Sequence, residues 1–227
     1  MTESNKIDVS VIVPALNAEK FIGRCLRSLS SQFAHDFTYE VIVIDDGSLD
    51  STSFIVEQFV SPKSNKFSLI KNGNNEGLPA SLNKGIAAAK GSKIIRVDAD
   101  DYVNERYLDL LQAFLGLRPA IHAVSCDYLI VNENEDVIES KSWEDARIGC
   151  GVMFRKSALE ALGGYDIAFL RHEDEEMMAR FRNQFSIDHL RLPLYRYRRH
   201  QTNITNDKVA MDFYKRELEK KLGRSKD

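Results

Sequence analysis

Three carboxylates close a short apolar run, Lys93-Ile94-Ile95-Arg96-Val97-Asp98-Ala99-Asp100-Asp101. If residues 93–97 form a buried strand, period-two alternation carries Asp98 and Asp100 to the same side at its C-terminal end. In an open α/β sheet that end is where ligands bind. Acids crowded there repel one another, and a hard divalent cation with a phosphate-bearing ligand relieves the repulsion. Mg²⁺ and Mn²⁺ are commonly held by one or two carboxylates plus substrate phosphates, a need that this Asp-x-Asp pair meets. In isolation such a pair is more often a solvated acidic turn, so its companions decide the reading.

Two further acidic groups keep it company. Asp45-Asp46-Gly47-Ser48 ends another apolar run. A carboxylate there can accept a hydrogen bond from a base N–H or a ribose hydroxyl, and Gly47 lets the backbone turn tightly. An Asp turn chosen for loop chemistry explains it as well. Arg171-His172-Glu173-Asp174-Glu175-Glu176 precedes an apolar helical stretch. Acids in a first helical turn suit the helix dipole, and one of them, or His172, could instead serve as a general base. No GxGxxG follows the first strand and no GxxxxGK[ST] loop occurs, so a bound phosphate would be held by metal and side chains.

The elements that must position these groups alternate. Residues 8–14 read as a doubly buried strand stopped by Pro14, followed by a helix from an Asn17 cap to about Gln32. Strands at 40–44 and 67–71 flank a helix from Ser51 or Thr52 to about Phe59. The turn-rich loop Asn72–Gly77 leads to a helix over Ser81–Lys90 and then to the acidic strand. This alternation predicts βαβ units in a parallel, doubly wound sheet whose strand ends share one rim. Beyond Asp101 the pattern changes: a helix near 105–115, a hairpin of 120–131 with 137–143, a strand at VMF, helices at 156–162 and 173–183, and a loosely alternating Arg191–Arg199. Lys208–Leu222 reads as a charged helix with Met211, Tyr214, Leu218 and Leu222 on one stripe.

The 227 residues suit one large domain, here residues 1–205 (halves 8–101 and 102–205), with a helical tail at 206–227. A net charge of −3 gives no nucleic-acid footprint. Three cysteines without metal or paired spacing suit a reducing cytosol, and the polar N-terminus has no signal core. No apolar run approaches the roughly 20 residues of a spanning helix. The expectation is a cytoplasmic protein, at most peripheral to a membrane.

Taken together, VSVIVPALNAEKFIGRCLRSLSSQ, VIVIDDGSLDST, NEGLPASLNKGIAAAKG, IIRVDADD, GVMFRKSALEALGGYD and HEDEE resemble the family 2 glycosyltransferases of GT-A fold, over about Val9 to Arg182. The resemblance implies a mostly parallel α/β sheet with a small antiparallel part in the C-terminal half. It also implies a nucleotide-sugar donor, UDP-linked above all, a divalent Mn²⁺ or Mg²⁺, and inversion at the anomeric carbon. The donor-nucleotide residues it implies are Pro14, Asn17, Asp46, Gly77, Asn83 and Asp98, with Asp46 on the uracil. Asp100 matches the metal ligand and His200 the late histidine that reaches metal or diphosphate. Gly151 and Glu173 match the sugar and acceptor pocket, and Asp174 the catalytic base. One departure stands out: Leu82-Asn83 replaces the Arg-Asn of many members, so that a basic contact to the nucleotide is either missing or supplied by Lys84 or Arg96.

The alternatives are a nucleotidyltransferase, which usually brings a basic Gly-rich loop that ALNAEK lacks, and a sugar-nucleotide-binding protein without catalysis. The expected partners are the donor and a glycan or lipid-linked acceptor, in surface polysaccharide synthesis. The tail helix and Arg196–Arg199 leave three contacts open: an anionic membrane, the domain itself, or a second subunit.

Overall fold

The computed structural model describes residues 6–224. The reading of the polar N-terminus, and the last three residues of the tail, lie outside that range. Runs of β-branched residues build β1 (Val9–Ala15), β2 (Tyr39–Asp45), β3 (Phe67–Lys71) and β4 (Lys93–Arg96), all parallel, in the order β3-β2-β1-β4. Alternation along β1 sends Val9, Val11 and Val13 into one core and Ile12 into another. The first core is closed by α1 (Ile22–Ser30), through Ile22, Cys25, Leu26 and Leu29, and the second by α3 (Leu78–Ala88), through Leu82 and Ile86. The short α2 (Thr52–Glu57) completes the second crossover.

The sheet then continues without a break as β4-β8-β6-β9-β5, with β7 paired to β6. These strands are β5 (Tyr102–Val103), β6 (Ala123–Val131), β7 (Val137–Lys141), β8 (Val152–Arg155) and β9 (Ile187–Arg198). Pairing here is antiparallel except between β6 and β9. One sheet thus crosses the junction at residues 101 and 102. Helices α4 (Tyr107–Gly116), α5 (Lys156–Leu162) and α6 (Glu173–Arg182) cover it. The tail helix α7 (Lys208–Lys221) docks on the domain: Leu218 is buried, and Lys221 pairs with Asp166 at 2.6 Å and Glu176 at 2.7 Å.

Three local expectations need correction. Asn17 does not cap α1, which starts five residues later; it sits in a turn at φ +49°. The N–H groups of Asn17, Ala18 and Glu19 bond Ser48, Thr52 and Asp50, so this segment is committed to the loop after β2 and is withheld from the helix. Helix α3 begins at Leu78, not Ser81, because Pro79 fits a first turn while Ser81 is buried against Asn72. Strand β4 ends at Arg96, so Asp98 and Asp100 lie in the turn beyond it and the period-two argument does not orient them.

Candidate active site

Strand β1 runs through Pro14 to Ala15 instead of stopping at the proline, and the acids around the parallel strands divide into groups with different tasks. Asp46 is buried at 4% exposure. One of its oxygens accepts from Asn72 Nδ2 (2.7 Å) and the Glu76 N–H (2.9 Å), the other from the Gly77 N–H (2.9 Å). Its carboxylate therefore anchors the 72–77 loop, with Gly77 at φ +93° completing the turn. Lys84 backs the same loop through Asn72 Oδ1 (2.7 Å) and Glu76 Oε1 (2.6 Å). Asn83 clamps the turn before α6, accepting the Tyr165 N–H and donating to the Tyr165 carbonyl, each at 2.8 Å. Pro14 is buried within β1.

Arg96 is the hub of the next group. Its guanidinium grips both oxygens of Asp98, at 2.6 and 3.0 Å, and Glu173 Oε1 at 2.9 Å. Arg96 and Glu173 are both buried, and such a pair persists because each cancels the desolvation of the other. Arg96 therefore directs three of its donors at carboxylates inside the protein, away from the role of a nucleotide contact. Leu82, in the place of the missing arginine, lies in the core. Gly149 packs against the hub: a Cβ there would lie 2.8 Å from Asp174 Cβ and 2.9 Å from the Arg96 guanidinium. Only glycine lets the Asp174 carboxylate approach this network so closely.

Asp98, Asp101 and Cys150 place ligand atoms within 4.8 Å of one another. Their chemistry argues against a metal among them. Cys150 Sγ donates to Asp98 at 2.8 Å, and burial with the Asp98 charge pushes its thiol up. Both oxygens of Asp101 are occupied, by the Tyr195 hydroxyl and the Arg198 N–H, each at 2.7 Å. Tyr195 also accepts the Asp98 N–H (3.1 Å), so this single phenol holds the acidic turn in shape.

Asp100 is arranged differently. Its Oδ2 faces His200 Nε2 at 2.8 Å and Asn203 Nδ2 at 3.3 Å, and its side chain is 29% exposed. A carboxylate and an imidazole side by side form an oxygen–nitrogen donor pair of the kind Mn²⁺ accepts, open to solvent on the Asp100 side because the His200 side chain is only 7% exposed. The Phe21 ring, 4.5 Å from the imidazole, and Thr202 at Nδ1 hold His200 in place. These two residues, separated by a hundred positions, fit a divalent ion.

Asp174 lies in the first turn of α6, two residues after His172, which is left-handed at φ +57° and spends its ring on Glu175 (2.8 Å) and the Met211 carbonyl (3.2 Å). Both ring nitrogens of His172 are thus bonded within the protein. Asp174 is only partly exposed, and burial, then the neighbouring Glu173 charge, push its carboxyl up to about 7. It lines a cavity of about 420 Å³ together with Trp143, Arg147, Gly149, Arg182 and Leu218. A second cavity, of about 280 Å³, is lined by Tyr128, Tyr197, His200 and Asn203, and Ile148 forms part of both walls. The candidate residues therefore do not share one cavity: Asp174 lines the first and His200 the second, with Ile148 in both walls, and Asp46 and Asp100 line neither. Gly151, at φ +72°, turns that segment into β8.

Residues 10–163 match the model for glycosyl transferase family 2. The chain belongs to this family. EpsH of Bacillus subtilis is 28% identical over 223 residues, covering 86% of this chain and 62% of its own length. The poly(ribitol-phosphate) β-N-acetylglucosaminyltransferase TarS of Staphylococcus aureus is 38% identical over 107 residues, 47% of this chain and 18% of its length. The chain therefore spans less than two thirds of these relatives. In structure, a TarS fragment with UDP-GlcNAc superposes with a TM-score of 0.76 at 23% identity, covering 93% of this chain and 65% of that one. A Pyrobaculum calidifontis mannosyltransferase with GDP-Man and Mn²⁺ gives 0.73 at 17%, covering 100% and 69%. The family's α/β sheet, mostly parallel with antiparallel strands, is the fold described above.

Sequence reasoning missed Arg96 as an internal hub, Tyr195 as the brace of the acidic turn, and Gly149. The Gly-Cys-Gly run at 149–151 was the one visible signal. Within Arg196–Arg199, Arg198 is buried and bonds the carbonyls of Asp100 (2.9 Å) and Glu133 (3.0 Å), so this residue faces no membrane, whereas Arg199 is exposed. Among the described residues no helix is long and apolar enough to cross a membrane.

Proposed function

We propose that the protein is an inverting glycosyltransferase that moves a hexosyl or N-acetylhexosaminyl group from a UDP-sugar to a hydroxyl of a glycan or lipid-linked acceptor, at the cytoplasmic side of surface polysaccharide synthesis. The observation that carries this reading is Asp174: a half-buried carboxylate raised to about 7, opening onto a cavity and backed by buried Glu173 and Arg96. A base near neutrality abstracts a hydroxyl proton most effectively. As the acceptor oxygen attacks the anomeric carbon, Asp174 takes its proton. Glu173, fixed by Arg96, keeps Asp174 basic through its like charge. Asp100 and His200 would hold Mn²⁺ or Mg²⁺. Such an ion, when bound, neutralises the donor's diphosphate and the departing nucleoside diphosphate.

Pro14, Asn17, Asp46, Gly77, Asn83 and Asp98 belong to the donor side in this reading, the last four as supports of its loops. Support for a UDP-sugar comes from TarS, whose structure holds UDP-GlcNAc, and for Mn²⁺ from the archaeal mannosyltransferase. Because Ile148 stands between the two cavities, the reading requires the 147–150 segment to shift when donor binds. Gly149 and Gly151 give it the backbone freedom. The test is release of UDP or GDP from a panel of nucleotide sugars with Mn²⁺, with and without candidate acceptors. Failure of every donor in that panel overturns it.

A further inference from the structure

The larger cavity holds a feature that proton abstraction does not use. Trp143 forms part of its wall, 2% exposed, fixed by its N–H to Asp127 Oδ1 (3.1 Å) and its indole N–H to the Ile148 carbonyl (3.0 Å). Two guanidinium groups lie against this one ring, Arg147 at 6.0 Å and Arg182 at 5.5 Å from its centre. Both line the cavity. Among the described residues neither forms an ion pair with a carboxylate, and the Nε of Arg182 is buried without any hydrogen-bond partner. By contrast Arg180, two residues earlier on the same helix, pairs with Glu176 at 2.7 Å and bonds two carbonyls.

Two like charges beside one ring repel, and a buried guanidinium N–H without an acceptor loses its hydration. Burial and the Arg147 charge both disfavour the charged form of Arg182. Aromatic attraction offsets part of this for each cation. An anion between them would offset the rest, since the guanidinium fork matches a phosphate's oxygens. Asp174 and Glu175 also line the cavity, but Asp174 is held near the Arg96 hub and Glu175 is bonded to His172.

We infer that Arg147 and Arg182 form an anion subsite of the acceptor pocket, selecting acceptors that carry a phosphate group close to the reacting hydroxyl. This rests on the reading of Asp174 as the base, since the subsite and that carboxylate share one cavity. An acceptor anchored there by its phosphate shares one cavity with Asp174, and the two guanidinium groups offset the charge that the phosphate brings into it. The phosphate can belong to a monoester or to a phosphodiester within a polymer, and both carry the oxygens the fork needs.

Trp143 is the single tryptophan of the chain, so its emission reports on this site alone. Glycerol 3-phosphate (a monoester), glycerophosphoglycerol (a diester) and neutral glycerol are titrated into the protein, in separate runs with UDP and Mn²⁺ present. At least one phosphate probe is expected to change the emission at a concentration ten or more times below that of glycerol. Arg147→Gln and Arg182→Gln are each expected to weaken that response about tenfold or more, while the thermal unfolding midpoint of Arg147→Gln stays as in the wild type, since Arg147 is exposed. Preference between the two phosphate probes identifies the source. Equal responses to phosphate probes and glycerol, or wild-type responses from both variants, overturn the subsite. Because Arg147 is on an exposed loop, its variant reads the subsite even if Arg182→Gln disturbs α6. Failure of the function reading shows separately, as absent donor turnover with every acceptor.

Discussion

Replacing Asp174 with asparagine keeps the shape of the side chain and removes its charge, with opposite consequences for stability and turnover. The carboxyl is raised from 3.8 to about 7 by burial and by Glu173. A group that holds its proton more tightly folded than unfolded makes the fold lose stability as pH climbs from about 4 to about 7. Each tenfold change in proton affinity is about 1.4 kcal/mol, so the ionised carboxylate costs up to about 4 kcal/mol at pH 8. Partial exposure reduces this to about 2–3 kcal/mol. In Asp174→Asn the amide oxygen can still accept the Glu175 N–H, bonded at 2.9 Å in the wild type, so little else is lost. Urea unfolding followed through Trp143 is expected to show the variant about 2–3 kcal/mol more stable than the wild type at pH 8. The gap should close near pH 4, where both side chains are neutral. Sugar transfer by the same variant should fall by about 10² to 10⁴-fold, the usual worth of a general base. A gap of constant size across this range, or a variant less stable at pH 8, refutes the reasoning about burial and Glu173.

Other outcomes follow from the same geometry. Wild-type kcat/KM should rise about tenfold per pH unit below about 7 and level off above it, because only ionised Asp174 accepts the proton; a flat profile between pH 5 and 8 contradicts the base assignment. Asp100→Ala and His200→Ala should each abolish the Mn²⁺ enhancement of UDP binding in calorimetry, and Asp100→Ala should leave the thermal unfolding midpoint nearly unchanged, since Asp100 is partly exposed. Unchanged metal enhancement in both removes the pair as metal ligands. Hydrogen exchange in residues 146–151 should change when UDP and Mn²⁺ are added, as the wall at Ile148 gives way; identical exchange with and without donor means the two cavities stay apart.

Much of the framework was legible in the chain itself. Runs such as Val9–Val13 and Glu40–Ile44 are β-branched without polar alternation, and only a strand covered on both faces satisfies them. Turn formers at Asp45–Ser48, Asn72–Gly77 and Asp98–Asp101 then mark strand ends that right-handed crossovers must bring to one rim. Family membership also lay in those strings, because their order along the chain is local information. What the chain could not disclose is which partner each charge chooses. Arg96 and Glu173 are 77 residues apart, and Asp100 and His200 are 100 apart, so their pairing exists only once β4, α6 and the segment after β9 converge. Burial is decided there too. Asp46, Asp98 and Asp174 are all aspartates at apparent strand or helix ends. Yet the fold makes the first a loop anchor, locks the second to an arginine and leaves the third alone beside a cavity with its proton affinity raised. Side-chain chemistry is a property of the residue; desolvation and the charges across a few ångströms are properties of the tertiary structure.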